Sequence, residues 1–457
     1  MRLRGLALTV HGIALASAAG CGGGVTERDQ WTVWITTDVP VPTVADRALV
    51  EVLDTDGSLA CTECRRMIGL PASPSSWPIS FGVVVPPSRS APRVRVRLHQ
   101  AARVGSDEAP PVATTIDRLA KLPPARGNVD VALVLRGECA GIGASVAEGL
   151  SCGDVRELVD EVVLPVGRPD ATIVPGTWPR GARIECTGEP DEDMVCVPGG
   201  LFVLGDPIQL DVGRLRVMPE RFVTVAPFAL DREEVKVGAV RALVASGKIS
   251  TEPEARSTDP TALFSECTYL GRASAENDRL PVNCIDHTLA AKVCAATGKR
   301  LPTEVEWEWA AGNLEEETPH PWGYDGDACS WSDVGLATDL FSVIEGSSVC
   351  RTRPGRSSLP AAVPAKGNPR DRTRLGLMAL GGGVSEWVAD RAANYDEACW
   401  RPDEPFLDNP RCDAGSSFSI RGSSWVGSPG FARVTLRQSA PAAFRDPSVG
   451  LRCARSE

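Results

Sequence analysis

Thiols and imidazoles are the side chains best suited to metal or redox chemistry, and the chain has fifteen cysteines but only four histidines. Thiolates are soft ligands for Cu(I) and zinc, and Cys61-Thr-Glu-Cys64 has the spacing of a redox or zinc-binding pair. No strand-helix-strand pattern surrounds it, and Cys139 and Cys152 are not spaced as a second zinc knuckle, so a turn-stapling bridge is the better reading. Setting Cys21 aside leaves fourteen cysteines, an even set that reads as disulfides in an exported chain. Pairing near neighbours gives Cys61/Cys64, Cys139/Cys152, Cys186/Cys196, Cys284/Cys294, Cys329/Cys350 and Cys399/Cys412, and leaves Cys267 and Cys453 to close a long loop. For Cys284/Cys294, a strand over Leu280 to Asp286 is expected to have the following helix packed back beside it. After His11 the histidines are His99, His287 and His320. Asp286-His287 with His320 lacks a third ligand at the spacing of a facial iron site, so these histidines are read as structural. No phosphate loop, serine elbow or metalloprotease helix is present in the sequence.

The second half of the chain carries an ordered series of landmarks. They are Met194-Val-Cys-Val-Pro-Gly-Gly-Leu-Phe-Val-Leu-Gly205, Val223 to Val235, Leu280-Pro-Val-Asn-Cys-Ile-Asp286 and Gly298-Lys-Arg-Leu-Pro-Thr-Glu-Val-Glu-Trp-Glu-Trp-Ala-Ala311. His320-Pro-Trp-Gly323, Leu375 to Trp387, Arg421-Gly-Ser-Ser-Trp425 and Gly450-Leu-Arg-Cys453 follow. Within the series, Thr303 is placed to cap a helix with Glu306 at the third helical position, which brings Glu304, Trp307 and Glu308 onto neighbouring faces. Over about residues 190 to 455 the series resembles the formylglycine-generating enzyme or sulfatase-modifying factor family. The resemblance implies an α+β, C-type-lectin-like domain with few regular elements.

In that family's oxidases two cysteines after the Arg-Gly-Gly-Ser-Trp-like strand hold copper; counted from Trp425, their places fall on Gly427 and Ala432. Neither side chain can ligate a metal, so copper is not expected and no catalytic residue is assigned. The other cysteines lie elsewhere in the sequence, and Cys453 is the one that folding is expected to be able to bring close. The family's calcium-binding turn, Gly-Asn-Val-Trp-Glu-Trp, is here Gly382-Gly-Val-Ser-Glu-Trp387. Glu386 is retained and Gly383 stands for the asparagine, which leaves calcium open with fewer oxygens than the six to eight it wants. Arg421, Ser424, Trp425 and Trp387 are the candidates to line a groove. The reading that follows is a non-catalytic domain that binds a small ligand or a protein partner, with no cofactor expected. The alternative is a metal-dependent oxidase with unconventional ligands.

The elements that must position these residues come in several blocks. Arg2 and Arg4, the apolar run Leu6 to Ala16 and Ser17-Ala-Ala-Gly20 before Cys21 read as a signal peptide over residues 1–20 with a lipidated cysteine. The apolar run is too short to span ~30 Å of hydrocarbon. Residues 21–30 form a glycine-rich tether. Trp31 to Ile35, Ala48 to Leu53, Ile79 to Val85, Val94 to Leu98 and Val129 to Leu135 alternate or run apolar at strand length, which predicts an antiparallel β-sandwich-like domain over residues 31–152. Residues 153–192, with Pro165, Pro169, Pro175 and Pro179, read as a linker, and residues 193–455 as the second domain. The expected location is the bacterial cell envelope, held to the membrane through the N-terminal lipid. A net charge of −11 and the lack of a basic stripe exclude nucleic acid as a natural partner.

Overall fold

The computed structural model describes residues 29–84, 92–104, 109–207, 215–259, 262–336, 350, 367–401 and 403–457. Cys21 and the signal segment lie outside them.

Seven strands build the N-terminal domain. One sheet contains β1 (Gln30–Thr37), β4 (Ile79–Val83) and β7 (Asn128–Leu135) in the order β4-β1-β7. The other contains β2 (Arg47–Leu53), β3 (Arg65–Gly69), β5 (Arg93–His99) and β6 (Ile116–Lys121) in the order β3-β2-β5-β6. Inward residues of both, among them Val33, Ile35, Val50, Val96, Val131 and Leu133, share one core. The sandwich is therefore present but not wholly antiparallel, because β1 and β7 pair in parallel from Gln30/Asn128 to Thr37/Leu135. A parallel pair needs a long crossover, and the five intervening strands supply it. Two strands lie outside the predicted set for opposite reasons. β3 is an exposed edge, whereas in β6 the alternation is broken by Asp117, which is buried against Arg95 at 2.5 Å.

The 153–192 segment is not a free linker. Short strands β8 (Leu150–Cys152) and β9 (Leu158–Asp160) form a hairpin, and the chain then bonds to the edges of β6 and β7. Trp178 is fully buried, with its ring where a side chain on Gly137 would have to sit. Proline excludes helix and central strand but tolerates such edge positions.

In the C-terminal domain, β10 (Met194–Val197), β11 (Gly200–Leu204), β12 (Arg221–Val225) and β13 (Phe228–Asp231) precede α1 (Val237–Ala245), α2 (His287–Ala295), α3 (Glu304–Ala311) and α4 (Ala328–Trp331). Strands β14 (Ser385–Arg391), β15 (Phe406–Asp408), β16 (Ser417–Arg421), β17 (Arg437–Pro441), β18 (Val449–Gly450) and β19 (Ala454–Ser456) follow. They assemble as β10-β13-β19, β11-β12-β15 and β17-β16-β14-β18. This is a mixed α+β fold. Sheet β11-β12-β15 is buried on both faces: Leu201, Val203, Phe222 and Phe406 point into the N-terminal core, while Phe202, Leu204, Val223 and Leu407 point into the C-terminal one. The strand period of two thus makes one sheet the wall between the domains. Across the same boundary Arg103 pairs with both Glu220 and Glu317.

Seven disulfides join the fourteen described cysteines. Five are near-neighbour pairs of the sequence reading, but Cys284 bonds Cys267 and Cys294 bonds Cys453. The strand expected over Leu280 to Asp286, along which α2 was to pack back, does not form; Cys284 lies in an irregular buried stretch at φ +53° and its sulfur meets Cys267. Cys294 instead faces Leu451 and Cys453 in the core. Cys350 bonds Cys329 on α4 as its spacing suggests, although the residues on either side of Cys350 lie outside the described ones. Its surroundings do not follow from that spacing. The Cys350 amide donates to Gly335 O at 3.1 Å, and its half-buried side chain packs against Ala328, Val334 and Ala432.

Candidate functional site

Helix α3 organises the region where chemistry was sought. Thr303 and Glu306 form the expected reciprocal cap, and the backbone N–H of Glu304 also donates to Asp390 Oδ2 at 2.6 Å. Every residue of this helix is buried, including Glu304, Glu306 and Glu308. Buried carboxylates need partners: Arg300 pairs with Glu306 at 2.7 Å, and β16 and β17 provide those of Glu304 and Glu308. Glu304 Oε1 accepts from Arg437 Nε at 2.6 Å and from Arg421 Nη1 at 3.2 Å, and Oε2 accepts from Arg437 Nη2 at 2.9 Å. Glu308 accepts from Arg421 Nη2 at 2.5 Å and from the Gly205 amide at 2.8 Å. Burial would raise the Glu304 carboxyl, but the two guanidiniums hold it below its ordinary value. Asp390 goes the other way, pushed up to about 7 by burial and by the Glu304 charge beside it.

Arg421 is therefore the hub of a fully buried ion network, not the wall of a groove. The other groove candidates are packed as well. Trp387 is buried and donates from its indole to Ile285 O at 2.9 Å. Trp425 donates to Pro447 O at 3.1 Å, and Ser424 is buried beside it. None of the four lines either of the two large cavities, of about 620 and 640 Å³. The residues that sequence reasoning missed are Arg437 and Arg452. Their signal was slight, an arginine directly after a leucine in Leu436-Arg437 and Leu451-Arg452.

Glu386 is similarly committed. Arg452 Nε lies 2.8 Å from both of its oxygens, and Trp307 Nε1 donates to Oε2 at 2.7 Å. These charged and indole donors, not backbone N–H groups, satisfy the carboxylate. Gly383 has φ +77°, and a Cβ there would sit 2.4 Å from Glu234 Oε1, which accepts from the Val384 amide at 2.8 Å. The space an asparagine would need is thus filled by a second buried carboxyl, raised well above its usual range by burial and by the neighbouring Glu386 charge.

The two positions expected for the paired cysteines have tight surroundings. A side chain on Gly427 would meet Ser423 Oγ at 2.3 Å. Ala432 is buried with Ala328 and Val334, and its carbonyl bonds His320 Nδ1 at 2.9 Å. The expectation that Cys453 is the thiol able to come close is corrected: Cys453 packs with α2 in a different part of the core, and the cysteine beside Ala432 is Cys350. Gly335 brings it there, because its amide donates to Gly427 O at 2.8 Å while its carbonyl accepts from the Cys350 amide. Neither sulfur is a free thiolate, since Cys350 is held by Cys329 and Cys453 by Cys294. His287 bonds Val388 O at 3.0 Å and stacks on Phe418 with ring centroids 3.4 Å apart, and burial lowers its pKa to about 4. The two histidines considered as an iron pair are each fixed on a different backbone carbonyl.

Residues 183–457 match the family described as the sulfatase-modifying factor enzyme 1-like domain. The chain belongs to this family. Its relatives include the mouse (Mus musculus) inactive C-alpha-formylglycine-generating enzyme 2, 29% identical over 308 residues that cover 60% of this chain and 89% of the relative. The formylglycine-generating enzyme of Thermomonospora curvata is 25% identical over 224 residues, 43% of this chain and 71% of that enzyme. Among solved structures, PvdO from Pseudomonas aeruginosa aligns with 61% of this chain and 99% of its own at 24% identity and a TM-score of 0.39. The relatives thus include proteins named as enzymes and proteins named as inactive.

Proposed function

We propose that the protein is an exported lipoprotein, anchored through Cys21, whose sulfatase-modifying factor domain binds a ligand or protein partner without catalysis. The reading rests on Gly427 and Ala432, which stand, counted from Trp425, where the family's copper thiols are expected, and which both sit in tight surroundings. The similarity to a relative named as inactive supports it. The place we assign to the ligand is the cavity of about 640 Å³ between the two domains, framed by Gln100, Arg103, Phe202, Leu314, Tyr324 and Arg433. Its size falls in the range of small-molecule sites, and such sites favour domain boundaries. Arg103, which ties the domains together, fixes its shape.

The test is metal analysis of the purified mature protein together with an assay on a sulfatase-type cysteine peptide. No stoichiometric copper and no formylglycine are expected. Copper-dependent turnover by the native protein would refute the non-catalytic reading. For the anchor, Cys21→Ser is expected to move the protein from the membrane fraction to the soluble one, and a wild type that is fully soluble after export would overturn it.

A further inference from the structure

Exposed apolar side chains are unevenly spread over this protein. Of fourteen large hydrophobic residues that stand exposed among the described residues, six fall within the twelve residues 155–166: Val155, Leu158, Val159, Val162, Val163 and Val166. Val155 and Val166 are each 71% exposed. The ribbon that carries them is fixed, since Lys121 N donates to Val162 O at 2.9 Å, Ala132 N to Pro165 O at 3.0 Å and Gly167 N to Asp130 O at 2.8 Å. Leu164 alone turns into the core, and Glu161 turns inward to Arg93 and Lys121. A rigid concentration of apolar side chains on a water-facing surface marks a contact site.

The start of the described chain indicates what it contacts. Gln30 pairs with Asn128 at the beginning of β7, and Asp29 accepts from the Gly127 amide at 3.0 Å. The ribbon bonds the same strand at Asp130 and Ala132, two to four residues along, or about 7–13 Å at strand rise. From Cys21 to Asp29 the chain can reach no more than about 29 Å. An acyl anchor at Cys21 therefore brings this ribbon within reach of the bilayer surface. Asp154, Glu157 and Asp160 are exposed along it, so an anionic lipid surface would be repelled and a zwitterionic one tolerated.

We infer that residues 155–166 form the face on which the protein rests against a zwitterionic lipid surface once Cys21 is acylated, an inference that depends on the lipid anchor proposed above. The ribbon is a second, weaker contact that sets the orientation of the domains above the membrane.

The experiment compares the mature lipidated protein on phosphatidylcholine vesicles with the Cys21→Ser chain, using carbene footprinting of side chains and co-sedimentation. Labelling of the 153–167 peptide is expected to fall at least threefold on vesicles for the lipidated protein, with labelling of Tyr324 unchanged. The Val163→Asp/Val166→Asp variant should lose this protection while still co-sedimenting, and an unchanged urea midpoint shows that it folds. Replacing a third of the lipid by phosphatidylglycerol should weaken the protection. Wild type that fails to co-sediment sinks the anchor and this inference with it. Wild type that co-sediments with the ribbon fully labelled leaves the anchor standing and overturns the ribbon's role. Protection that rises with concentration in the Cys21→Ser chain without vesicles assigns the face to a second copy and likewise overturns it.

Discussion

Replacing Glu304 by Gln keeps the shape of the side chain and removes the charge that two buried guanidiniums share. In the native protein its carboxylate accepts three hydrogen bonds, at 2.6, 2.9 and 3.2 Å, from Arg437 and Arg421. In the variant the amide nitrogen faces a guanidinium N–H, donor against donor. Arg421 retains Glu308 as a countercharge, whereas Arg437 keeps no carboxylate, only the carbonyls of Arg216 and Ala393, each at 2.8 Å, the Tyr395 ring and the one amide oxygen of the glutamine. Charge-assisted hydrogen bonds contribute about 1.5–3 kcal/mol each, but they are not additive, and breaking a buried pair from one side costs about 3–5 kcal/mol. Urea unfolding followed by the fluorescence of the eleven tryptophans measures it, with the slope m expected to stay constant. Because the wall β11-β12-β15 belongs to both cores, both domains should lose stability in one transition. A loss below about 1 kcal/mol, the range of an exposed ion pair, would refute the claim that Arg421 and Arg437 are structural cations. So would an Arg421 variant of native stability with altered ligand affinity.

His287 is only 8% exposed, and its folded pKa is lowered to about 4 from 6.5. Its contribution is therefore complete above pH 6.5 and lost as pH falls toward 4. His287→Phe should flatten the slope of stability against pH in that window by at most about 3 kcal/mol in total, as read from urea midpoints at successive pH values; an unchanged slope would count against burial as the cause. Cys294–Cys453 closes 159 residues and Cys399–Cys412 closes 13, so double serine replacement should cost about 5 kcal/mol at the first and about 3 at the second on chain entropy. Equal losses in thermal unfolding would argue for enthalpic control. Gly383→Asn forces a side chain into a left-handed turn and onto Glu234, and should lower stability by about 1–3 kcal/mol without calcium raising the melting temperature. A calcium-dependent rise would show that the turn still takes the ion. The Gly427→Cys/Ala432→Cys variant should fold less stably, because the first thiol displaces Ser423 Oγ, and copper bound only by this double variant would mark the places as a vacated metal site.

Several features were legible in the sequence because their causes are local. The cap at Thr303 and Glu306 requires only residues three apart, and the alternating or continuous apolar runs of β1, β2, β5 and β7 record strands with one or both faces buried. Five bridges spanning 3 to 21 residues followed from proximity along the chain, whereas Cys267–Cys284, 17 residues apart, did not. The tertiary structure decided what depends on distant partners. Arg421 looks like a groove residue by motif, and only the arrival of α3 with Glu304 and Glu308, more than a hundred positions away, makes it an interior cation. Glu386 is neutralised by Arg452, 66 positions on. Cys294 finds Cys453 because a helix carries its side chain away from its sequence neighbours and toward the last strands. Cys350 shows both kinds of cause: its partner Cys329 is near in the chain, but its place beside Ala432 depends on a backbone bond from Gly335 to Gly427. The proline-rich 153–192 segment has the composition of a linker, yet sheet edges satisfy its backbone and Gly137 leaves room for Trp178. Composition records what a segment can do by itself, and a buried charge, a long bridge or a docked loop is fixed by the groups that folding brings to it.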